Sequence, residues 1–240
     1  MKRLIFLFIY LSTTCTTLFS QYKIEGFSLS DTTNAWLDSK LPISNTELYT
    51  ASEPSIERYS WKSSPLLSHK GGREGSLAYR GEVFNGVRML YDAFDQQLLA
   101  ELLMNGQYYK VVSLNQEQVG WFRLGNYYFK NFHKDLLNRP RGFYAIAFTG
   151  EMIDIIVKKR KKKRIESGEF IFIENDKTLL KFNEQYHEIT NRRSIYKIIP
   201  THKAELKKYF KSQRIRKFSG LNIGKVSNFG QFCNQLLLGK

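Results

Sequence analysis

Short apolar runs separated by turn residues fill the middle of the chain, and this pattern restricts the fold more than any other feature. Between residues 76 and 190, about nine or ten runs rich in β-branched and aromatic residues recur every 8–12 residues or so. Apolar and polar residues alternate in "GEFIFIE" and "QVGWFRL", which is typical of strands with one buried and one solvated face. The pattern predicts an antiparallel β-sandwich or a barrel-like roll.

Pairs of Asn, Gly and Asp predict where the chain reverses direction. Asn85–Gly86 and Asn105–Gly106 are strong hairpin signals. Gly125–Asn126 and Asn175–Asp176 are further turn signals. The segment "QQLLAELL" suits either a strand or a helix, because its leucines fit both periodicities.

The periodicity changes to helical near residue 191. "SIYKIIP" predicts a short helical turn, and "THKAELKKYFKSQ" predicts a helix with Thr201 as its N-cap and Leu206 and Phe210 on one side. A last helix carries an apolar stripe of Val226, Phe229, Cys233, Leu236 and Leu237. Helices this short are unstable alone, so we expect them to pack on the sheet, which makes the fold α+β.

The first 20 residues have the pattern of a signal peptide. Lys2 and Arg3 precede the apolar "LIFLFIYL", and Ser20 is a small residue before the predicted cleavage site at Gln21. The apolar segment is short for a membrane span, and an uncleaved anchor is the alternative. The predicted organisation is a signal peptide at 1–20, an extended Ser/Thr-rich arm with loops at 21–75, an antiparallel β domain at 76–190 and a helical segment at 191–240.

Charge is distributed unevenly along the chain, whose formal net charge is +15. Residues 21–156 contain 14 Lys+Arg and 15 Asp+Glu, whereas residues 157–240 contain 21 and 7. This asymmetry predicts a positive face that attracts lipopolysaccharide, anionic lipid head groups, acidic polysaccharide or nucleic acid.

Seven consecutive cations form a basic run at the start of this region: Lys158, Lys159, Arg160, Lys161, Lys162, Lys163 and Arg164. One interpretation is a ribbon that binds an anionic polymer through charge. The other is the solvated tip of a hairpin whose arms are "MIDIIV" and "GEFIFIE", and the sequence favours it because charge runs are usually solvated. If the basic third does bind an anion, these residues are the first candidates.

A second basic cluster lies on one side of the predicted helix at "THKAELKKYFKSQ": Lys203, Lys207, Lys208 and Lys211. It lies opposite Leu206 and Phe210, as the wet side of an amphipathic helix does. A weak contact with a membrane surface is the alternative.

Residues that would carry catalysis or bind metal are scattered. The four histidines have no ligand partner nearby in sequence, and the spacing of Asp92 and Asp95 indicates a turn rather than a calcium loop. Cys233 is the one thiol of the predicted mature chain, and we expect it to be buried. No nucleophile, phosphate-binding or dinucleotide motif occurs. The sequence therefore predicts neither an enzyme nor a bound metal or cofactor.

Five motifs extend together over roughly residues 47–240: "ELYTASE", "GSLAYRGEVFNGVRMLYDAFDQQLL", "QVGWFRLGNYYF", "GFYAIAFTG" followed by basic residues, and "SIYKIIPTHKAELKKYFKSQRI". In these motifs the chain resembles a group of uncharacterised secreted or envelope proteins of Bacteroidota. The resemblance implies export in a Gram-negative organism and a β-rich fold with terminal helices. It brings no catalytic residues.

Together these features predict an exported protein that is located in the periplasm or cell envelope or is secreted. Its expected function is that of a non-catalytic interaction module whose basic surface contacts an anionic envelope polymer or lipid surface. The alternatives are an accessory protein that binds another envelope protein, and an enzyme of unknown reaction. No specific nucleic acid partner and no transmembrane segment in the mature chain are predicted.

Overall fold

The structure, a computed structural model, describes residues 63–68, 71–104, 108–135 and 139–239. The predicted signal peptide, its cleavage site and the arm as far as residue 62 lie outside the described residues, as do the predicted Asn105–Gly106 turn and His69. All the described residues belong to one compact unit.

Twelve strands and three helices follow one another along the described part of the chain. The strands are β1 Arg73–Tyr79, β2 Glu82–Asp92, β3 Gln97–Met104, β4 Tyr108–Ser113, β5 Val119–Leu124, β6 Tyr127–Phe132, β7 Gly142–Thr149, β8 Ile153–Lys158, β9 Lys161–Glu166, β10 Glu169–Glu174, β11 Lys177–Phe182 and β12 Gln185–Glu188. The helices are α1 Arg192–Ile198, α2 Lys203–Ser212 and α3 Ile223–Leu237.

Ten strands form one sheet in the order β12-β11-β8-β7-β6-β5-β1-β2-β3-β4, and β9 pairs with β10 in a separate two-stranded sheet. All pairings are antiparallel. Two four-stranded meanders, β1–β4 and β5–β8, meet where β1 pairs with β5. The β9–β10 hairpin is inserted between β8 and its neighbour β11.

The predicted α+β class, with an antiparallel sheet and C-terminal helices, is confirmed. The strands among the described residues number twelve rather than about nine. The main sheet ends at β12 on one side and β4 on the other, so it is not closed into a barrel. The ambiguous segment "QQLLAELL" is strand β3, because Leu98, Ala100 and Leu102 alternate into the core.

The predicted hairpin turn at Asn85–Gly86 is wrong. The chain reverses at Arg80–Gly81, and β2 continues through Asn85 and Gly86. The register between β1 and β2 shifts there, so these two residues oppose the single residue Ser76. A β-bulge and a tight turn both favour glycine, and Gly86 has φ +66°. The same dipeptide therefore satisfies either geometry.

The first core fills the inner face of the two meanders. The rings of Phe122 and Phe129 stack with centroids 4.5 Å apart. The Tyr91 ring lies 5.6 Å from Phe122 and 5.0 Å from Phe129, and the Phe143 ring lies 5.1 Å from Phe122. Alternation along β5 sends Phe122 and Leu124 into this core and leaves Arg123 on the opposite face.

The second core lies between the helices and strands β7, β8 and β11. Leu206, Phe210, Val226, Phe229 and Cys233 are buried there, as their helical spacing predicts. Burial raises the pKa of the Cys233 thiol strongly, as expected for an unreactive core cysteine.

Gly230 permits the close approach of α3 to β7. A Cβ atom at this position would lie 2.6 Å from the side chain of Phe148. The glycine weakens the helix intrinsically, and tight packing against the sheet compensates.

The predicted N-cap at Thr201 is wrong, because α2 begins at Lys203 and Thr201 belongs to a preceding 3-10 turn, Pro200–His202. A complete capping box instead begins α1, where the Asn191 side chain accepts hydrogen bonds from the Arg193 and Ser194 amides. Among the described residues, no helix is long and apolar enough to span a membrane.

Candidate anion-binding site

The basic run is divided between two strands. Lys158 ends β8, Lys159 and Arg160 form a short connection, and β9 begins at Lys161. Strand β8 pairs with β7 and β11, whereas β9 pairs with β10 around a turn at Ser167–Gly168. The hairpin predicted between "MIDIIV" and "GEFIFIE" does not form, because β8 and β10 belong to different sheets. The run is therefore not a hairpin tip.

Lys159 points into the protein. Its ammonium group forms a buried ion pair and hydrogen bond with the carboxylate of Asp176. The same carboxylate accepts a hydrogen bond from the backbone amide of Arg160 at 3.1 Å. A buried charge is tolerated when it is paired and hydrogen-bonded, so Lys159 is part of the interior.

Lys161 is also buried and ties a distant segment to β9. Its amine donates hydrogen bonds to the backbone carbonyls of Ser64 at 2.8 Å and Leu66 at 2.6 Å. Burial lowers the pKa of this amine, and Glu174 and Asp92 partly oppose that effect. Lys159 and Lys161 are thus occupied by contacts within the protein.

Lys162, Lys163 and Arg164 continue along β9 with exposed side chains. The Lys163 amine lies 3.5 Å from the centroid of the Phe170 ring on β10. These three residues remain candidates for contact with an anion at the surface.

Lys158 and Arg160 contribute to a different site, a concave pocket of about 780 Å³. Its lining comes from β7, β8, β11, β12, α1 and the connecting segments: Gln96, Asp135, Pro140, Tyr144, Lys158, Arg160, Lys177, Leu179, His187, Glu188, Ser194, Lys197 and Ile198. Four cationic side chains and two carboxylates surround a partly apolar floor. The volume is within the usual range for small-molecule sites.

Lys158 and Lys177 oppose each other directly on the paired strands β8 and β11. Directly opposed like charges on a sheet repel and destabilise the pairing. Lys177 has partial compensation, because its amine lies 3.7 Å from the carboxylate of Glu188 in an exposed pair. Among the described residues, no carboxylate forms such an ion pair with Lys158, although the charge of Asp135 partly opposes the lowering of its pKa. Its amine donates a 3.0 Å hydrogen bond to the Arg141 carbonyl and lies 5.3 Å from the Tyr144 ring centroid.

Burial lowers the pKa of Lys158, and the positive charges of Arg160 and Lys177 lower it further. Gly142 makes room for this amine, since a Cβ atom there would lie 3.2 Å from the Lys158 nitrogen. The glycine also has φ +124°, a conformation that other residues rarely adopt.

Two buried polar atoms of the lining side chains have no hydrogen-bond partner in the described part of the chain. They are Nε of Arg160, a donor, and Oε1 of Gln96, an acceptor. The amide nitrogen of Gln96 is already used, because it donates to the carbonyls of Ala93 and Lys159. Unsatisfied buried groups are rare and often belong to functional sites.

The helix lysines do not join this pocket. Lys203, Lys207, Lys208 and Lys211 lie on the exposed side of α2, opposite the buried Leu206 and Phe210. Lys203 lies 6.0 Å from the Tyr196 ring centroid. The helical cation that lines the pocket is Lys197 of α1.

Sequence reasoning missed Lys177, Lys197 and Tyr144 as members of a site. The sequence predicted a turn at Asn175–Asp176 and then the strand "TLLKF", which begins one residue after Lys177. The pairing of that strand with β8 was not predictable from local pattern. Asp92 forms the predicted turn, since its carboxylate accepts hydrogen bonds from the amides of Phe94 and Asp95. Within the described ranges, no group of three His, Cys, Asp or Glu side chains is arranged to bind a metal ion.

No protein family, no curated protein and no solved structure matches this chain. The resemblance to envelope proteins of Bacteroidota therefore stays a prediction.

Proposed function

We propose that this chain is an exported, non-catalytic binding module of a Gram-negative cell envelope, and that it binds an anionic component in the pocket lined by Lys158, Arg160 and Lys177. The contact is electrostatic, as the sequence predicts. It involves a concave site rather than the whole basic run, and this site contains two residues of that run and cations from β11 and α1.

The convergence of Lys158, Arg160 and Lys177 is the observation that supports this function most directly. Lys158 and Lys177 are directly opposed, and the charge of Arg160 is close enough to lower the pKa of Lys158. Gathering like charges in a partly buried space costs free energy that a bound anion would recover through charge-assisted hydrogen bonds. The unpaired Nε of Arg160 supplies one donor for such bonds.

Calorimetric titration of the purified protein with phosphate, sulfate and galacturonate tests this function. We expect saturable binding of at least one probe, weakened about tenfold or more by Lys158→Met or Lys177→Gln, because each removes a charge-assisted contact. Lys162→Gln is the matched control, since it removes an exposed charge of the same run that does not line the pocket. Binding that is absent, or reduced equally by the control, would overturn the proposal.

The pH dependence of binding provides a second readout. An anion requires the charged form of Lys158, whose pKa is below that of an ordinary lysine. The affinity for the anion should therefore fall as the pH rises. This fall should begin at a lower pH than the one at which an ordinary lysine loses its proton. Lys158→Arg should shift this loss to higher pH, because a guanidinium stays protonated.

Catalysis in the same pocket is a second candidate, supported by one observation. The lowered pKa of Lys158 increases its neutral amine fraction, as in catalytic lysines, and Glu188 and His187 line the same space. The two functions differ in the fate of the ligand. A bound probe that is recovered unchanged after the titration supports a binding module, whereas conversion into products would favour an enzyme.

A further inference from the structure

Five side chains form a row across five neighbouring strands, on the face of the sheet opposite helix α3. Trp121 of β5 opposes Lys130 of β6, Lys130 opposes Tyr144 of β7, and Lys158 of β8 opposes Lys177 of β11. The amine of Lys158 lies over the Tyr144 ring. Because directly opposed residues share a face, these five residues line up nearly perpendicular to the strands.

One end of this row is an aromatic platform made of the half-buried Trp121 and the exposed Tyr128. The rings of Trp121 and Tyr128 lie with centroids 5.8 Å apart. The Arg123 guanidinium lies 5.4 Å from the Tyr128 centroid, and Lys130 is exposed beside them. Aromatic faces flanked by cations can stack on a sugar ring and pair with its acidic groups. The other end of the row is the cationic pocket.

The length of the row suits an extended chain. Neighbouring strands are about 4.8 Å apart, so five strands cover about 19 Å. The strand spacing is close to the advance of one pyranose residue along an extended glycan. Lys130 and Lys158 are separated by one intervening strand, so they match carboxylates on every second sugar.

The row is a poorer match for single-stranded nucleic acid. That ligand is normally bound through successive aromatic faces on which its bases stack. Tyr144, in the middle of the row, is only 1% exposed and has Lys158 over its ring. Stacking is therefore possible only at the Trp121 and Tyr128 end.

We propose that the row is the binding track of a linear acidic polysaccharide. One carboxylated sugar lies in the pocket, and the chain continues across Lys158, which covers Tyr144, and over Lys130 to the ring of Trp121. This inference rests on the proposed function, because the pocket is one end of the track. It adds the ligand class and the direction in which the ligand leaves the pocket.

Titration with oligogalacturonates of one, three, five and seven sugars tests the track. Affinity should rise up to about five sugars, one for each strand crossed, and then level off. Lys130→Gln should weaken binding of the five-sugar probe about tenfold and leave binding of the single sugar unchanged, because only the longer probe reaches β6. Lys207→Gln, an exposed lysine of α2, is the matched control and should change neither.

The outcomes separate failure of the track from failure of the pocket. Two results would overturn the track and leave the pocket function standing. One is equal affinity for the one-sugar and five-sugar probes. The other is an unchanged five-sugar affinity in Lys130→Gln, while Lys158→Met still weakens binding of the single sugar. Unchanged single-sugar binding in Lys158→Met would overturn both. An oligothymidylate that binds more tightly than the five-sugar probe would overturn the polysaccharide in favour of nucleic acid.

Discussion

Seven adjacent cations in one run have three different environments. Lys159 and Lys161 are inside the protein, Lys158 and Arg160 line a pocket, and Lys162–Arg164 are exposed on β9. The charge run alone could not predict this, because the groups that satisfy the buried amines are distant in sequence. Asp176 lies 17 positions from Lys159, and the carbonyl of Ser64 lies 97 positions from Lys161.

Replacing Lys161 by Met should destabilise the protein by about 1–3 kcal/mol, since the carbonyls of Ser64 and Leu66 would lose their charged donor. Lys162→Gln on the same strand should change stability by less than about 0.5 kcal/mol, because that side chain is exposed. Urea unfolding of both variants measures the difference. Equal effects of the two substitutions would show that the Lys161 contacts contribute nothing specific.

At the scale of elements, the sequence predicted strands and helix faces better than strand partners. Period-two alternation identified β5 and β10, and helical spacing identified the buried sides of α2 and α3. Pairing depends on contacts between distant segments, and the insertion of β9–β10 between β8 and β11 has no local signal. Consequently the sequence did not predict the pocket, although Lys158 and Arg160, two of its cations, were already candidate anion-binding residues.

Strand β7 links the two cores, and we expect them to unfold together. Phe143 and Ala145 belong to the first core, Ala147 and Phe148 pack on the second, and Ile223 of α3 contacts both. Leu77→Ala in the first core and Phe229→Ala in the second should each cost about 2–5 kcal/mol. Each should therefore accelerate hydrogen exchange throughout both cores, which mass spectrometry of peptides from β3 and α3 can measure. Acceleration confined to the mutated core would contradict this.

At the scale of the whole molecule, the excess of cations in the final third of the sequence places several positive side chains at one end of the sheet. The final third supplies Lys158, Arg160, Lys177 and Lys197 to a single concave site. Composition alone predicted that anions would be attracted to this part of the chain. It could not distinguish a diffuse positive surface from a pocket, because that difference depends on strand register.

The predicted signal peptide implies export, which concerns the whole molecule. Expressed in a Gram-negative host, the protein should be found outside the cytoplasm with Gln21 as its first residue, which N-terminal sequencing of cell fractions can determine. Phe8→Arg should block this, because a charge in the apolar region prevents its recognition as a signal. Cytoplasmic wild-type protein that retains the first 20 residues would contradict export.

The opposition of Lys158 and Lys177 also affects the protein without a ligand. Their repulsion acts across the pairing of β8 and β11, which joins the outer strands β11 and β12 to the rest of the sheet. Dissolved ions shield repulsion between partly exposed charges, so the free protein should become more resistant to heat as ionic strength increases. A bound anion would provide the same relief locally, so ligand occupancy would help hold this margin of the sheet in place.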